Sequence, residues 1–133
     1  TREDARRALE AGTFYVMEAD GQVVGVATLN HIQPPEYANL TWSAPAQGRE
    51  VLVIHTLCIP PSQSGRGYAK AFVAFAMEHG RALGCKVIRL DTYEGNLPAI
   101  SLYRRLGFRD VGVTLFHFEN AIWENLRCFE FPL

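Results

Sequence analysis

The stretch PPSQSGRGYAKAF, residues 60–72, sets Gly65 and Gly67 one residue apart, directly before an apolar segment with helical spacing. A helix start leaves several backbone N–H groups without intrahelical partners and carries partial positive charge, so it suits a phosphate or pyrophosphate. Glycines at 65 and 67 let that backbone wrap closely around the anion, because no side chain intervenes. Arg66 and Lys70 either add charge there or are simply solvated. Taken alone, the pair fits equally well a loop that only needs positive φ.

Two familiar phosphate patterns do not account for it. Walker A requires a Gly-Lys-Ser/Thr that is missing at the necessary spacing. The dinucleotide fingerprint comes nearer, since Gly65-x-Gly67 opens a helix and Asp91 follows at about the distance of a ribose-binding acid. It fails because Lys70 replaces the third glycine, five residues separate the strand end from Gly65, and the flanking hairpins do not build a doubly wound sheet.

The elements that must position this stretch follow from periodicity and punctuation. TREDARRALEAG reads as a short helix from Thr1 to a C-cap at Gly12. Two β-rich runs then flank Asp20-Gly21, a strong signal for an antiparallel hairpin. Residues 31–49, rich in Pro, Asn, Gly and Ala, read as a long loop. EVLVIHTLCI, residues 50–59, is the almost continuous apolar run of a strand buried on both faces. Beyond the glycines, Phe72, Phe75, His79 and Leu83 mark one face of a helix that Gly84 caps. CKVIRLDTY supplies a further strand, and strand–helix–strand implies a parallel crossover. Asn96 then N-caps a short helix with Pro98 in its first turn and Gly107 at its end. FRDVGVTLFHF and NLRCFEFPL close the chain as strands, with ENAIWE as the loop between them. The expected class is a mixed, mostly antiparallel α/β sheet with flanking helices, in one domain over residues 1–133.

Composition narrows the function classes. Hydrophobic residues at 48% and charged residues at 20% are ordinary globular values. A net charge of −1 gives no overall basic excess for nucleic acid or anionic lipid. Cys58, Cys85 and Cys128 are odd in number and far apart, without metal-ligand spacing, and read as reduced, small core residues of a cytoplasmic protein. No apolar run approaches the length of a membrane span.

SGRGYA resembles the Q/R-x-x-G-x-G/A signature of the GCN5-related N-acetyltransferase (GNAT) superfamily, departing at the first position, where a serine stands for Gln or Arg. NLPAISLYRRLGF is similar to the family's second motif, with Asn96, Tyr103 seven residues on, and a closing Leu-Gly-Phe. The order of elements agrees from about residue 13 to the end. Members usually open with a strand and a helix, so the resemblance implies a GNAT-like fold that lacks these and is shortened at its N-terminus.

The resemblance implies acetyl-CoA as cosubstrate and acetyl transfer to an amine by direct attack, with no metal. Leu57, Cys58 and Ile59 would meet the pantetheine and acetyl carbonyl through backbone groups. Gly65, Arg66, Gly67, Tyr68, Ala69 and Lys70 would hold the pyrophosphate, and Asn96 would reach the pantetheine arm. Tyr103 would protonate the departing thiolate, since a phenol is protonated at neutral pH. Two residues compete as general base. His55 matches a histidine of arylalkylamine-type members and, two residues before Leu57, is expected on the same side of its strand; Asp91 matches a Glu of ribosomal-protein N-terminal acetyltransferases. Either could work through a water, and either could be structural; Glu50 and Glu94 are more distant candidates. Tyr37 and Trp42 in the long loop, and Trp123 between Glu119 and Glu124, would flank the acceptor. Aromatics beside carboxylates suit a cationic amine, a small molecule before a peptide, but equally a homodimer contact. A CoA-binding module without catalysis would keep the same glycine loop.

Overall fold

The computed structural model describes residues 3–7 (backbone), 14–118 and 122–133. Among these, seven strands form one sheet: β1 Glu3–Arg7, β2 Phe14–Ala19, β3 Gln22–Asn30, β4 Val51–Cys58, β5 Val87–Tyr93, β6 Arg109–His117 and β7 Trp123–Pro132. Their order is β1-β2-β3-β4-β5-β7-β6, and only the β4–β5 pair is parallel. The crossover between them is helix α1, Tyr68–Leu83, and β5 leads into helix α2, Leu97–Arg105.

The turn chemistry acts as the sequence predicts. Asp20 and Gly21 both take positive φ, +52° and +78°, which joins β2 to β3 with Ala19 opposite Gln22. Gly84, at φ +81°, ends α1, and the Asn96 side chain accepts the Ala99 N–H at 3.3 Å to start α2. On β4, Leu52 and Ile54 pack toward the helices while Val51 and Val53 pack toward residues 37–46, so the strand is buried on both faces. Both helices sit over the first face: Phe72, Val73 and Ala76 of α1 join Ile100 and Tyr103 of α2 in one core.

The segment 31–49 covers the opposite face, irregular apart from 3₁₀ turns at Pro35–Asn39 and Gly48–Glu50. A buried ion pair pins it. Glu130, fully buried, accepts the Ser43 N–H at 2.7 Å, the Ser43 hydroxyl and the Ala44 N–H. Arg89 donates to Gln33 Oε1 and to the Ala44 carbonyl, both at 2.8 Å, and its guanidinium lies 4.4 Å from the Trp42 ring centroid.

Five expectations change. Residues 3–7 are a strand rather than part of a helix, paired from Glu3↔Ala19 to Arg7↔Tyr15; the free edge of β2 offers backbone hydrogen bonds that outweigh the helix propensity of Glu3, Ala5, Arg6 and Arg7. The expected caps, Thr1 and Gly12, lie outside the described residues. Trp123 and Glu124 belong to β7, opposite His117 and Phe116, rather than to a loop. Leu83 is half exposed, because the buried stripe of α1 runs through Tyr68, Phe72, Val73, Ala76 and Gly80. Cys58 is exposed, whereas Cys85 and Cys128 are buried as expected. The fifth concerns His55.

Candidate active site

The parallel pairing of β4 and β5 runs from Val51↔Val87 only to Ile54↔Leu90. Beyond that pair β4 stays with β3, at Val26↔Cys58, and β5 stays with β7, at Tyr93↔Leu126. Two strands leaving the same ladder for opposite neighbours open a wedge in the sheet. A cleft of about 580 Å³ fills it on the helix side, lined by Ile54, Leu57 and Ile59 of β4 and its end, Asp91 of β5, Ser64 and Ala69 beside the α1 start, and Asn96 and Tyr103 around α2.

Thr56 shapes this edge. Its φ of +54° is in the left-handed region, and three steps along β4 from His55 to Cys58 oppose two along β3 from Thr28 to Val26. This is a β-bulge, which breaks the alternation of side chains, and a β-branched residue in that region is held there at a cost of about 1–3 kcal/mol. Leu57 and Ile59 therefore pack with the helix-side core, whereas His55 lines a second cleft of about 260 Å³ on the other face. The expectation that His55 and Leu57 share a side fails for this reason.

The second cleft is walled by Glu36, His55, Phe116 and His117, and it shares Thr56, Asp91, Phe118 and Leu126 with the first. The two clefts thus meet through the wedge, with Asp91 at the junction. Burial raises the Asp91 carboxyl above its ordinary range, opposed by the Tyr37 hydroxyl, which donates to Oδ2 at 2.7 Å, and by His55. His55 is lowered, mainly by burial, with Asp91 and a hydrogen bond to the Ile32 backbone pulling the other way. Asn30 Oδ1 accepts the Ile32 N–H at 2.9 Å and lies 2.7 Å from His55 Nε2. An oxygen held by one N–H donor accepts the second, so Nε2 carries hydrogen.

Tyr103 is 6% exposed, with its ring against Phe108 and Phe129. Among the described residues no group hydrogen-bonds its hydroxyl. Burial, with Asp91 adding to it, pushes the phenol up to about 12, so it is protonated at every physiological pH. The glycine loop lies at the mouth of the larger cleft. Gly65 and Gly67 have φ of +77° and +79°, and a Cβ at either would meet nothing within 4 Å. Glycine is thus required by backbone conformation, and the open space beside it fits an anion at the α1 N-terminus.

The remaining expected residues divide. Asn96 lines the larger cleft while capping α2. Arg66 and Lys70 are exposed beside the loop, and the Tyr68 side chain is buried in the core. Cys58 lines neither cleft described here. Glu50 pairs with Lys86 at 2.8 Å and Glu94 with Arg127 at 2.9 Å, and neither lines either cleft. Trp42 anchors the long loop over Arg89 instead of facing the acceptor side. Trp123 is 57% exposed and stacks on His117 at 4.1 Å; Glu119 lies outside the described residues. Sequence reasoning missed Asn30, the Thr56 bulge and the bond from Tyr37 to Asp91. None has a local signature, because each depends on partners 25 to 54 residues away or on strand register. Among the described residues, no cluster of three or more His, Cys, Asp or Glu could hold a metal ion, and no helix is long and apolar enough to cross a membrane.

Comparison with known proteins agrees with this architecture. N-acetyltransferase family 8 member 2 of Rattus norvegicus is 31% identical over 128 residues, covering 85% of this chain and 52% of the relative. The chain thus spans about half the length of the curated relatives it matches. An IAA acetyltransferase from Bacillus cereus superposes with a TM-score of 0.70 at 20% identity, over 90% of this chain and 77% of the other. The yncA putative acetyltransferase from Salmonella typhimurium, solved with its cofactor acetyl-CoA, gives a TM-score of 0.68 at 19% identity, over 90% and 64%. Residues 1–108 match the Acetyltransferase (GNAT) family, and with the wedge, the glycine loop and the Asn96–Tyr103 helix in place, the chain belongs to that family.

Proposed function

We propose that this chain acts as one catalytic domain that transfers an acetyl group from acetyl-CoA to the nitrogen of a small amine. The observation that carries the reading is the meeting of two clefts at Asp91, one beside the glycine loop and one beside Glu36 and His55. A thioester entering from the helix side and an amine entering from the other could meet there without a covalent enzyme intermediate.

The cosubstrate fits the groups on its side. N–H groups following Gly65 and Gly67 would hold the pyrophosphate, and Asn96 with the unpaired edge of β4 beyond Ile54 would line the pantetheine arm. Acetyl-CoA supplies the activated carbonyl. Asp91 takes a proton from the incoming ammonium; its raised carboxyl is a stronger base than an ordinary one, and the base is worth about 10² to 10⁴ in rate. His55, neutral and facing Asp91, helps order the proton's path. Edge N–H groups of Leu57 to Ile59 stabilise the developing oxyanion. The N–C bond forms, the C–S bond breaks, and the Tyr103 hydroxyl donates its proton to the departing sulfur. Carboxylates of Glu36 and Asp91 beside the Phe116 and Phe118 rings favour a cationic acceptor with an apolar part. The free cysteines suit a reducing compartment, and the reading assigns the protein to the cytoplasm.

Calorimetric titration with acetyl-CoA, desulfo-CoA and NADH tests the cosubstrate. Saturable binding of both CoA ligands and none of NADH is expected. Equal binding of NADH, or no binding of either CoA ligand, would refute the assignment.

A further inference from the structure

Asp91 is held by more than its own strand. The Tyr37 hydroxyl donates to Oδ2 at 2.7 Å from the long 31–49 segment. Tyr37 is itself fixed: it is 2% exposed, its ring packs against Trp42 and Phe116, and its carbonyl accepts the Trp42 indole N–H at 2.8 Å. Burial and the adjacent carboxylate raise the phenol far above its ordinary value, so it donates at every accessible pH and never competes for the proton. An oxygen-aimed donor on a rigid anchor is what a buried carboxylate needs to stay ionised and to keep one orientation.

We propose that Tyr37 is a positioning residue for acetyl transfer, whose hydroxyl fixes one Asp91 oxygen, keeps the carboxylate ionised and leaves the other oxygen for the incoming amine. The inference rests on Asp91 being the base. The groups facing Asp91 come from every element around it: Tyr37 and Glu36 from the long segment, His55 from β4, Arg89 from β5 through Tyr37, Tyr103 from α2 and Cys128 from β7. Of these Tyr37 makes the side-chain hydrogen bond that favours ionisation. Ring stacking alone would not require the hydroxyl, and Tyr37→Phe separates the two roles by keeping the ring.

The test follows the Asp91 carboxyl by ¹³C NMR through a pH titration, alongside kcat against pH with one amine, in the unaltered protein, Tyr37→Phe and Trp42→Phe. Losing a charge-assisted bond should move the Tyr37→Phe titration midpoint, and with it the acid limb of kcat, up by about one pH unit. The substrate's own ionisation cancels in that comparison. Trp42→Phe removes the indole N–H that holds the Tyr37 carbonyl but keeps the hydroxyl that donates to Asp91, and should move the midpoint by less than half as much. An unmoved midpoint in Tyr37→Phe, or an equal shift in Trp42→Phe, would overturn the inference. A shifted midpoint with an unshifted rate limb would uphold the Tyr37–Asp91 coupling and refute Asp91 as base.

Discussion

Replacing Tyr103 with Phe isolates the proposed acid step with little structural disturbance. The ring packs against Phe108 and Phe129, with centroids 5.7 and 5.6 Å away, and Phe retains both contacts. No hydrogen bond among the described residues is lost, so no buried partner is stranded and the expected change in stability stays within about 1 kcal/mol. What disappears is a proton donor. A phenol pushed up to about 12 is a weaker acid than an ordinary thiol, which argues for stabilisation of the developing thiolate followed by late transfer. That places the loss at the lower end of general-acid effects, about 10²-fold in kcat, or roughly 2.7 kcal/mol of barrier. Acetyl-CoA affinity should change less than about threefold, because the hydroxyl acts on a charge present only in the transition state. Stopped-flow detection of thiol release gives kcat, calorimetry gives affinity, and a thermal melt controls for folding. Turnover within twofold of the unaltered protein would refute the acid role; parallel losses of turnover, affinity and Tm would assign Tyr103 to the core alone.

Other perturbations bear on the loop, the base and the pinned segment. Gly67→Val forces a β-branched residue into φ +79° with no core atom to clash with, a strain of at least about 1–2 kcal/mol that should weaken acetyl-CoA binding about tenfold or more by calorimetry; unchanged binding would remove the loop from the site. Asp91→Asn should abolish most activity yet raise Tm near pH 8. A carboxyl raised on folding is easier to bury protonated, so its relative stability is present below the ordinary carboxylate range and lost as pH climbs through the folded-state value. The Tm gain of Asn should therefore vanish below about pH 4, and a pH-independent difference would contradict that sign. Glu130→Ala leaves Arg89 buried without its counter-charge and strands the Ser43 and Ala44 donors; the expected loss is about 3–5 kcal/mol by denaturant titration, and a loss under about 1 kcal/mol would show that the segment is held by other contacts.

The path from sequence to site was clearest where chemistry is local. Asp20-Gly21, Gly84 and the Asn96 cap require only nearby backbone geometry, and each behaves as its residue type dictates. The glycine loop and Tyr103 stood out only through their resemblance to the GNAT motifs, because two glycines alone fit a plain turn and one tyrosine alone fits a core. Failures arose where a distant partner decides. Residues 3–7 look helical until the edge of β2 is available to pair with. His55 looks like a neighbour of Leu57 until the Thr56 bulge moves the two to opposite faces. Arg89 sits in an apolar run and gives no hint of Glu130, 41 residues later, yet that pair holds the segment that brings Tyr37 to Asp91.

Amine-dependent thiol release from acetyl-CoA, compared between the unaltered protein and the double variant Asp91→Asn/Tyr103→Phe, tests the central claim most directly. The account predicts release that saturates with a cationic amine, acetylated amine in equal amount by mass spectrometry, and a loss of about 10³-fold or more in the double variant, which still binds acetyl-CoA. Release that does not depend on the amine, or a double variant that retains full turnover, would contradict acetyl transfer at the meeting of the two clefts.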